Sequence, residues 1–487
     1  MIVSCDRMRQ AEEAAFSRGI KAADLMATAG LGLAEIVRQF HPRPGTCVVF
    51  CGKGNNAGDA LVAAAHLQKW GWRIRVHAVC GVEAFSELPA RHFQALNADL
   101  FSTTPSGGPL VVLDGLLGLG ARGEPRGEIA GGIRAINQLR RENSAWVLAI
   151  DLPSGLDGDS GIPSACCVEA DLTATIAGVK QGLVADSAIN QVGRLAVVPL
   201  PALDFSGEGH VSAVSELRTW LPPRRFDLHK GDCGRVGIIA GSPGFLGAAR
   251  MCSAAAVHAG AGLVTVFARP DLAERLSLIC IPEVMVKTVS NYRDVLNENL
   301  DVLAVGPGLG QAHATEILSL IREVRQPMVI DADALNMLSR DLTLLQHCRG
   351  PRLLTPHPGE MERLTAASGR TRRQWVEDFL ARFPVTVLLK GARTLTGSGG
   401  QYYYNTTGNP GLASGGMGDV LTGVCAALIP QIEGDKKLLR SAVLGAWLCG
   451  RAGEIGAFAP GGSPESLSAT TVLACLGGAF RALREEV

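Results

Sequence analysis

The densest glycine stretch in this chain leaves few folds open. From Asn405 to Val424 it reads NTTGNPGLASGGMGDVLTGV, with five glycines between Gly408 and Gly418. Such a run suits neither helix nor strand; it makes a loop whose backbone N–H groups can approach a ligand closely. Asp419 follows, and the apolar run 420–429 predicts a helix. Backbone N–H groups leading into a helix N-terminus form a cradle for anionic oxygens. An aspartate there opposes a phosphate unless it has chemical work. The useful work is to take a proton from a hydroxyl that attacks a phosphoryl group. An isolated GxGD could equally be an N-cap behind a flexible loop. The rest of the chain has to decide.

Two α/β series frame that loop. In the first, apolar residues at helical spacing predict two helices between Met8 and Phe40, with a break near Gly19. The buried strand TCVVFC, 46–51, runs into the turn Gly52–Asp59 (GKGNNAGD), and a helix is expected over 60–70. Strand, glycine turn, helix is how doubly wound sheets bind phosphates or dinucleotides. The turn has neither the GxGxxG nor the GK[ST] pattern; Asn55, Asn56 and Asp59 supply oxygens instead. Strands are expected at 73–78, 110–114, 146–151, 172–177 and 195–198, two of them ending in Asp114 and Asp151. Carboxyl ends of parallel strands are where such sheets bind ligands. Any one of these aspartates could be a cap, but several polar turns at one edge argue for a site.

The segment 204–225 loses strand pattern and gains Pro, Ser and Glu, which marks a domain boundary. The expected division is 1–212, a linker over 213–225, and 226–487. The second series has strands at 235–240, 263–268, 302–305, 328–330, 352–354, 385–389 and 401–404, then closing helices at 439–455 and 467–483. Lys+Arg and Asp+Glu are both 46, so no global charge recruits nucleic acid or an anionic membrane. The 13 cysteines form no CxxC pair, which fits reduced thiols rather than disulfides or zinc. No apolar run is long enough to span a bilayer, and the first residues lack a signal-peptide core. A cytoplasmic protein is expected.

Named motifs carry a resemblance across nearly the whole chain. GKGNNAGDA, LDGLLGLG and AIDLPSG resemble the NAD(P)H-hydrate epimerase domain. HKGDCGRVGIIAGS, VGPGLG, VIDADALN, LLTPHPGEMERL, LLKGART and NPGLASGGMGDVLTG resemble the ADP-dependent NAD(P)H-hydrate dehydratase domain. The chain is thus similar to the bacterial bifunctional NAD(P)H-hydrate repair family. This implies an α/β protein with a Rossmann-like α/β/α domain followed by a ribokinase-like one. Ala57 and Ala60 stand where the epimerase loop usually has glycine, Ala27 replaces a usual acid, and Cys449 replaces a frequent histidine.

The resemblance further implies hydrated NADH or NADPH as substrate, ADP as co-substrate, and a homo-oligomer with no nucleic-acid or membrane partner. Asp419 would be the base for the C6 hydroxyl. ADP would lie against Lys390, Gly391, Ala392, Arg393 and Thr394, and against Asn409, Pro410, Gly411, Leu412, Ala413, Ser414, Gly415, Gly416, Met417 and Gly418. The hydrate would meet Gly308, His357, Pro358, Gly359, Glu360, Met361, Glu362 and Arg363, with Mg²⁺ accompanying the phosphates. In the epimerase domain, Asn56, Asp114 and Ser154 would hold K⁺. Asn55, Asn56, Ala57, Gly58, Asp59, Gly118, Leu119, Gly120, Ala121, Arg122, Gly123 and Glu124 would bind the substrate. Asp151 would be the acid/base, with Lys180 as a second candidate. The GxGD loop alone leaves open another reading: a small-molecule kinase of the ribokinase class, fused to a non-catalytic dinucleotide sensor.

Overall fold

The computed structural model describes residues 1–101, 109–121 and 123–485. They form two compact units, Met1–Gly209 and His210–Val487.

The first unit is built on seven parallel strands. Their spatial order is Asp99–Leu100, Arg73–Ala78, Thr46–Cys51, Leu110–Gly115, Trp146–Ile150, Leu172–Ile176 and Arg194–Val198. The central strands are buried and mostly apolar because helices cover both faces, with Thr46, Asp114, Thr173 and Thr175 as buried polar exceptions. Helices Ala22–Phe40 and Asn55–Lys69 close one side over Cys47, Val49, Leu113 and Leu148. Helix Gly127–Asn143 closes the other over Val48, Phe50, Val112 and Val147. The expected break near Gly19 separates Cys5–Ser17 from Ala22–Phe40. A two-stranded parallel pairing of Ile2–Val3 with Val179–Lys180 ties the N-terminus to the carboxyl edge of the sheet.

One difference from sequence expectation matters for the site. The glycine turn after Thr46–Cys51 spans only Gly52 to Gly54, and Asn55–Asp59 already form the first turn of the helix. Asn55 and Asn56 are poor interior helix residues, and at the helix start Asn56 instead reaches out to the Leu117 carbonyl.

The second unit carries a ten-stranded sheet. From edge to edge it runs His210–Val211, Gln401–Tyr404, Leu395–Ser398, Thr386–Leu389, Arg352–Leu354, Met328–Ile330, Val302–Val305, Arg235–Ile239, Leu263–Ala268 and Val284–Thr288. Only the pairings made by Leu395–Ser398 are antiparallel. Helices Leu246–His258, Met417–Leu428, Lys437–Phe458 and Ala469–Glu485 supply most of its main core. Each fully buried leucine or valine there contributes about 1.5–3 kcal/mol. Gly423 makes one helix contact possible: a Cβ there would lie 2.1 Å from the Cys252 carbonyl oxygen. Helices 246–258 and 417–428 can therefore approach closely, which fixes where helix 417–428 begins.

The segment expected to link the domains, 213–225, is built into the second unit. His210–Val211 pairs with Gln401–Tyr404, and helix Val214–Trp220 buries Leu217 and Trp220 in its core. A two-residue strand is too short to show in a sequence pattern. All thirteen cysteines are free thiols. Among the described residues no helix is long and apolar enough to cross a membrane.

Candidate active sites

Parallel strands of the first unit end at one edge, and the turns that follow surround a cleft of about 820 Å³. Asn55, Asn56, Asp59, Gly118, Leu119, Gly120, Ala121 and Asp151, all among the expected site residues, line it. Ala57 and Gly58 are buried in the helix beneath. Glu124 accepts a hydrogen bond from Ala165 N (3.1 Å), and Arg122 lies outside the described residues.

Asp151 follows strand Trp146–Ile150 with φ +66, a left-handed backbone that non-glycine residues adopt at a cost. Its Oδ1 accepts from Ile176 N (3.0 Å), from Thr175 Oγ1 (3.3 Å) and from the ammonium of Lys180. Lys180 is 1% exposed and also donates to the Ile176 carbonyl at 2.9 Å. Two more carboxyls share this environment. Burial, then the charges of Asp151 and Glu12, drives Asp59 well above the usual carboxylate range. Burial, then Asp151, also raises Glu12.

Beneath the cleft, Asp114 is fully buried. Its Oδ1 accepts from Ser154 Oγ (2.7 Å) and Leu116 N (3.3 Å), and its Oδ2 from Ser154 N (2.8 Å). Asn56 joins through the turn, its Nδ2 donating to the Leu117 carbonyl (2.8 Å) while Leu117 N donates to Ser154 Oγ (3.0 Å). The structure thus brings all three predicted residues together. Burial pushes the Asp114 carboxyl up to about 6 against the hydrogen bonds that favour its charge, and among the described residues no basic side chain contributes to the balance. A buried carboxylate, an amide oxygen and a hydroxyl without a cationic side chain suit a hard monovalent cation.

In the second unit, helix Met417–Leu428 opens on Gly416 at φ +86, and Asp419 sits in its first turn. Burial, then the charge of Asp331, pushes Asp419 up to about 6, although Lys390 opposes the rise. Lys390 Nζ donates to Asp331 Oδ1 at 2.7 Å and stands 3.8 Å from Glu360 Oε2. Burial works against its charge, but Asp331 and Glu360 hold Lys390 above its ordinary value. Thr355 Oγ1 and Thr422 Oγ1 donate to the two oxygens of Asp331 (2.8 and 2.9 Å). Glu360 is fixed by a capping box: its Oε2 accepts from His357 N at 2.8 Å, and its own N–H donates to His357 Nδ1 at 3.3 Å.

These residues reach one place because strands Met328–Ile330, Arg352–Leu354 and Thr386–Leu389 are adjacent and end together. The glycine loop is anchored from behind. Gly408 N donates to Glu454 Oε1 (2.8 Å), and Asn409 Oδ1 caps Gly411 N (2.9 Å). Ala413, Ser414 and Gly415 remain exposed.

Other predicted residues fall as follows. Gly308 takes φ +56 in the loop after Val302–Val305, and its carbonyl accepts from Ser242 Oγ (2.8 Å). His357, Pro358, Glu362 and Arg363 are exposed and Gly359 is half-buried, whereas Met361 is fully buried. Gly391 and Ala392 are exposed, Thr394 is half-buried and Arg393 is buried. Sequence reasoning passed over Asp331, although VIDADALN ends a strand in aspartate just as the motifs of Asp114 and Asp151 do. It also passed over Arg9 and Glu12 on helix Cys5–Ser17, which line the first cleft.

Fold and site together define a two-domain α/β enzyme, its second domain of the ribokinase-like class. Residues 236–470 match the family described as NAD(P)H-hydrate dehydratase, and residues 22–182 match the YjeF-related protein N-terminus. The bifunctional NAD(P)H-hydrate repair enzyme of Moorella thermoacetica is 37% identical over 95% of this chain and 93% of its own. That of Escherichia coli is 36% identical over 88% and 84%. The chain belongs to the family of bifunctional NAD(P)H-hydrate repair enzymes. Among solved structures, the ADP/ATP-dependent NAD(P)H-hydrate dehydratase of Bacillus subtilis, co-crystallised with ATP and Mg²⁺, aligns with TM-score 0.50 and 25% identity. It matches 57% of this chain and all of that one. A ribokinase-like protein of Enterococcus faecalis aligns with the same score at 28% identity, over 58% of this chain and 98% of its own.

Proposed function

We propose that the first domain interconverts the R and S C6 hydrates of NADH and NADPH, and that the second dehydrates the S form with ADP, releasing AMP and phosphate. Hydroxide at C6 is a poor leaving group, and phosphorylation makes it phosphate, which the ring-nitrogen lone pair can expel. The observation that carries this reading is Asp419 at a helix N-terminus behind the glycine loop, its carboxyl pushed up to about 6. A base poised near the working pH accepts a hydroxyl proton most effectively. Loop N–H groups and the helix dipole would hold the ADP phosphates. Asp331 holds the Lys390 ammonium in place beside the base.

Mg²⁺ binds through phosphates with one or two carboxylates rather than a full protein cage. Asp331 and Glu360 are the carboxylates at this edge whose chemistry fits it. In the first domain, Asn56, Asp114 and Ser154 would hold K⁺, which would fix the Gly115–Leu117 turn on which the cleft rests. Asp151 would act as acid or base on the hydrate. Pairing the activities makes sense, since a dehydratase specific for one epimer leaves the other unrepaired.

The test is to add ADP and enzyme to a mixed-epimer hydrate and follow the absorbance of reduced nicotinamide. Full recovery faster than unaided epimerisation, dependent on a nucleotide, is expected. Recovery without any nucleotide, or none at all, would sink the reading.

A further inference from the structure

The cleft of the first domain extends past the span that its family match covers. Helix Cys5–Ser17 lies wholly before residue 22, where the match begins, yet Arg9, Glu12 and Phe16 line the cleft. Those positions are i, i+3 and i+7, one stripe of a helix. Met8, Ala11 and Ala15 on the neighbouring stripe are buried and hold the helix down. Arg9 Nη2 donates to the Leu119 carbonyl at 2.7 Å, locking the helix to the loop on the cleft's rim. Glu12 is thereby placed, half-buried, where the charges of Asp151, Lys180 and Asp59 all act on it or it on them.

Glu12, Asp59 and Asp151 thus line one cleft with a single buried ammonium, Lys180, which bonds Asp151. Burying a net negative charge is costly, so such a cluster retains a proton. The upward displacement of both Asp59 and Glu12 agrees with that. Epimerisation at C6 needs this combination: a carboxyl that gives a proton and a carboxylate that takes one.

We propose that Glu12 is a further acid–base residue of the first-domain site, exchanging a proton with the C6 hydroxyl while Asp151 serves the opposite step. This rests on the epimerase reading above. In one direction Glu12 protonates the hydroxyl, and the C6–O bond breaks with its electron pair leaving as water. The ring-nitrogen lone pair forms the C6=N bond. Water then adds to the other face of C6, the C=N pair returns to nitrogen, and the proton released goes to Asp151. The reverse direction exchanges the two roles, and solvent restores the proton between turnovers.

The experiment uses the full chain, mixed-epimer hydrate and ADP, with the S-dehydration phase as internal reference. Glu12→Gln should slow the epimerisation phase at saturating hydrate by about 10²-fold, within the range of general acid–base contributions. KM should change little and the dehydration phase not at all. Glu12→Asp should recover part of the rate. Glu13→Gln, exposed on the same helix, should match the parent. The proposal falls if Glu12→Gln epimerises within threefold of the parent, if only KM changes, or if Glu12→Asp is no better than Glu12→Gln. A parent that epimerises no faster than enzyme-free solution would overturn the epimerase reading itself, and the proposal with it. A fast parent with an equally fast Glu12→Gln overturns the proposal alone.

Discussion

Each domain buries a lysine against an aspartate at the carboxyl edge of its sheet, Lys180 with Asp151 in the first and Lys390 with Asp331 in the second. Around each pair stand further carboxyls that no hydrogen bond ties to the lysine: Glu12 and Asp59 in one domain, Asp419 and, held by its own capping box, Glu360 in the other. The difference lies in access. Lys180 is 1% exposed, whereas the Lys390 side chain is 19% exposed and its ammonium lies beside Gly418 at the start of helix Met417–Leu428. In both domains the carboxyls not bonded to the lysine include ones that burial raises: Glu12 and Asp59 in the first, Asp419 in the second. In the second domain Asp419 is the proposed base. By the same logic the first domain's proton carriers include carboxyls beyond Asp151, which is the argument for Glu12.

The largest expected effect tests the titrating member of the second set. Asp419→Asn keeps shape and removes the acceptor, so ADP-dependent turnover should fall about 10²–10⁴-fold. ADP binding, measured by calorimetry, should persist. Turnover near the parent's would break the parallel between the two domains.

Next come the anchors. Lys180→Met leaves Asp151 buried and unpaired, and breaking such a pair costs about 3–5 kcal/mol. Lys390→Met should cost less, because its side chain is 19% exposed. Denaturant unfolding of the two variants reads the contrast. Equal losses would show that burial does not distinguish the pairs.

Asp114→Ala removes the formal charge of the proposed K⁺ site. Losing a group that merely orients a metal ligand commonly costs about 10–100-fold, and losing a ligand itself should cost at least that. The recovery trace should therefore split into a normal dehydration phase and a slow epimerisation phase. A single fast phase would separate Asp114 from the first domain's activity.

The smallest effect is on pH. Asp419 must be ionised to accept a proton, and its carboxyl is pushed up to about 6. ADP-dependent kcat/KM should then fall about tenfold from pH 7 to pH 5. Stability has the opposite sign. A carboxyl raised above its unfolded value burdens the folded state once it ionises, from about pH 4 upward and fully above 6. Asp419→Asn should accordingly raise the second domain's unfolding temperature at pH 7, a gain that fades toward pH 4. A flat rate between pH 5 and 7 would remove Asp419 as the base.

Central strands, their order of appearance and the glycine loop were legible in the chain itself, because local signals suffice for them. TCVVFC is buried at every position since both faces of its sheet are covered, and its bounds are as the sequence predicts. Asp114 and Asp151 announced themselves as acids ending such strands, and Asn56, Asp114 and Ser154 do converge. Short or exposed elements were not legible. Leu395–Ser398 reads LTGS, and His210–Val211 has two residues; both exist because a neighbouring strand offers hydrogen bonds. Tertiary structure alone decided charge. Nothing local in HPGE or VIDADALN says that Glu360 and Asp331 face Lys390, 30 and 59 residues further on, or that a helix before the first motif brings Glu12 to Asp151. Sequence spacing sets which groups can end a strand or share a helix face. Which of them carries the proton depends on burial and on charges brought from distant segments, and both come into being only when the sheet closes.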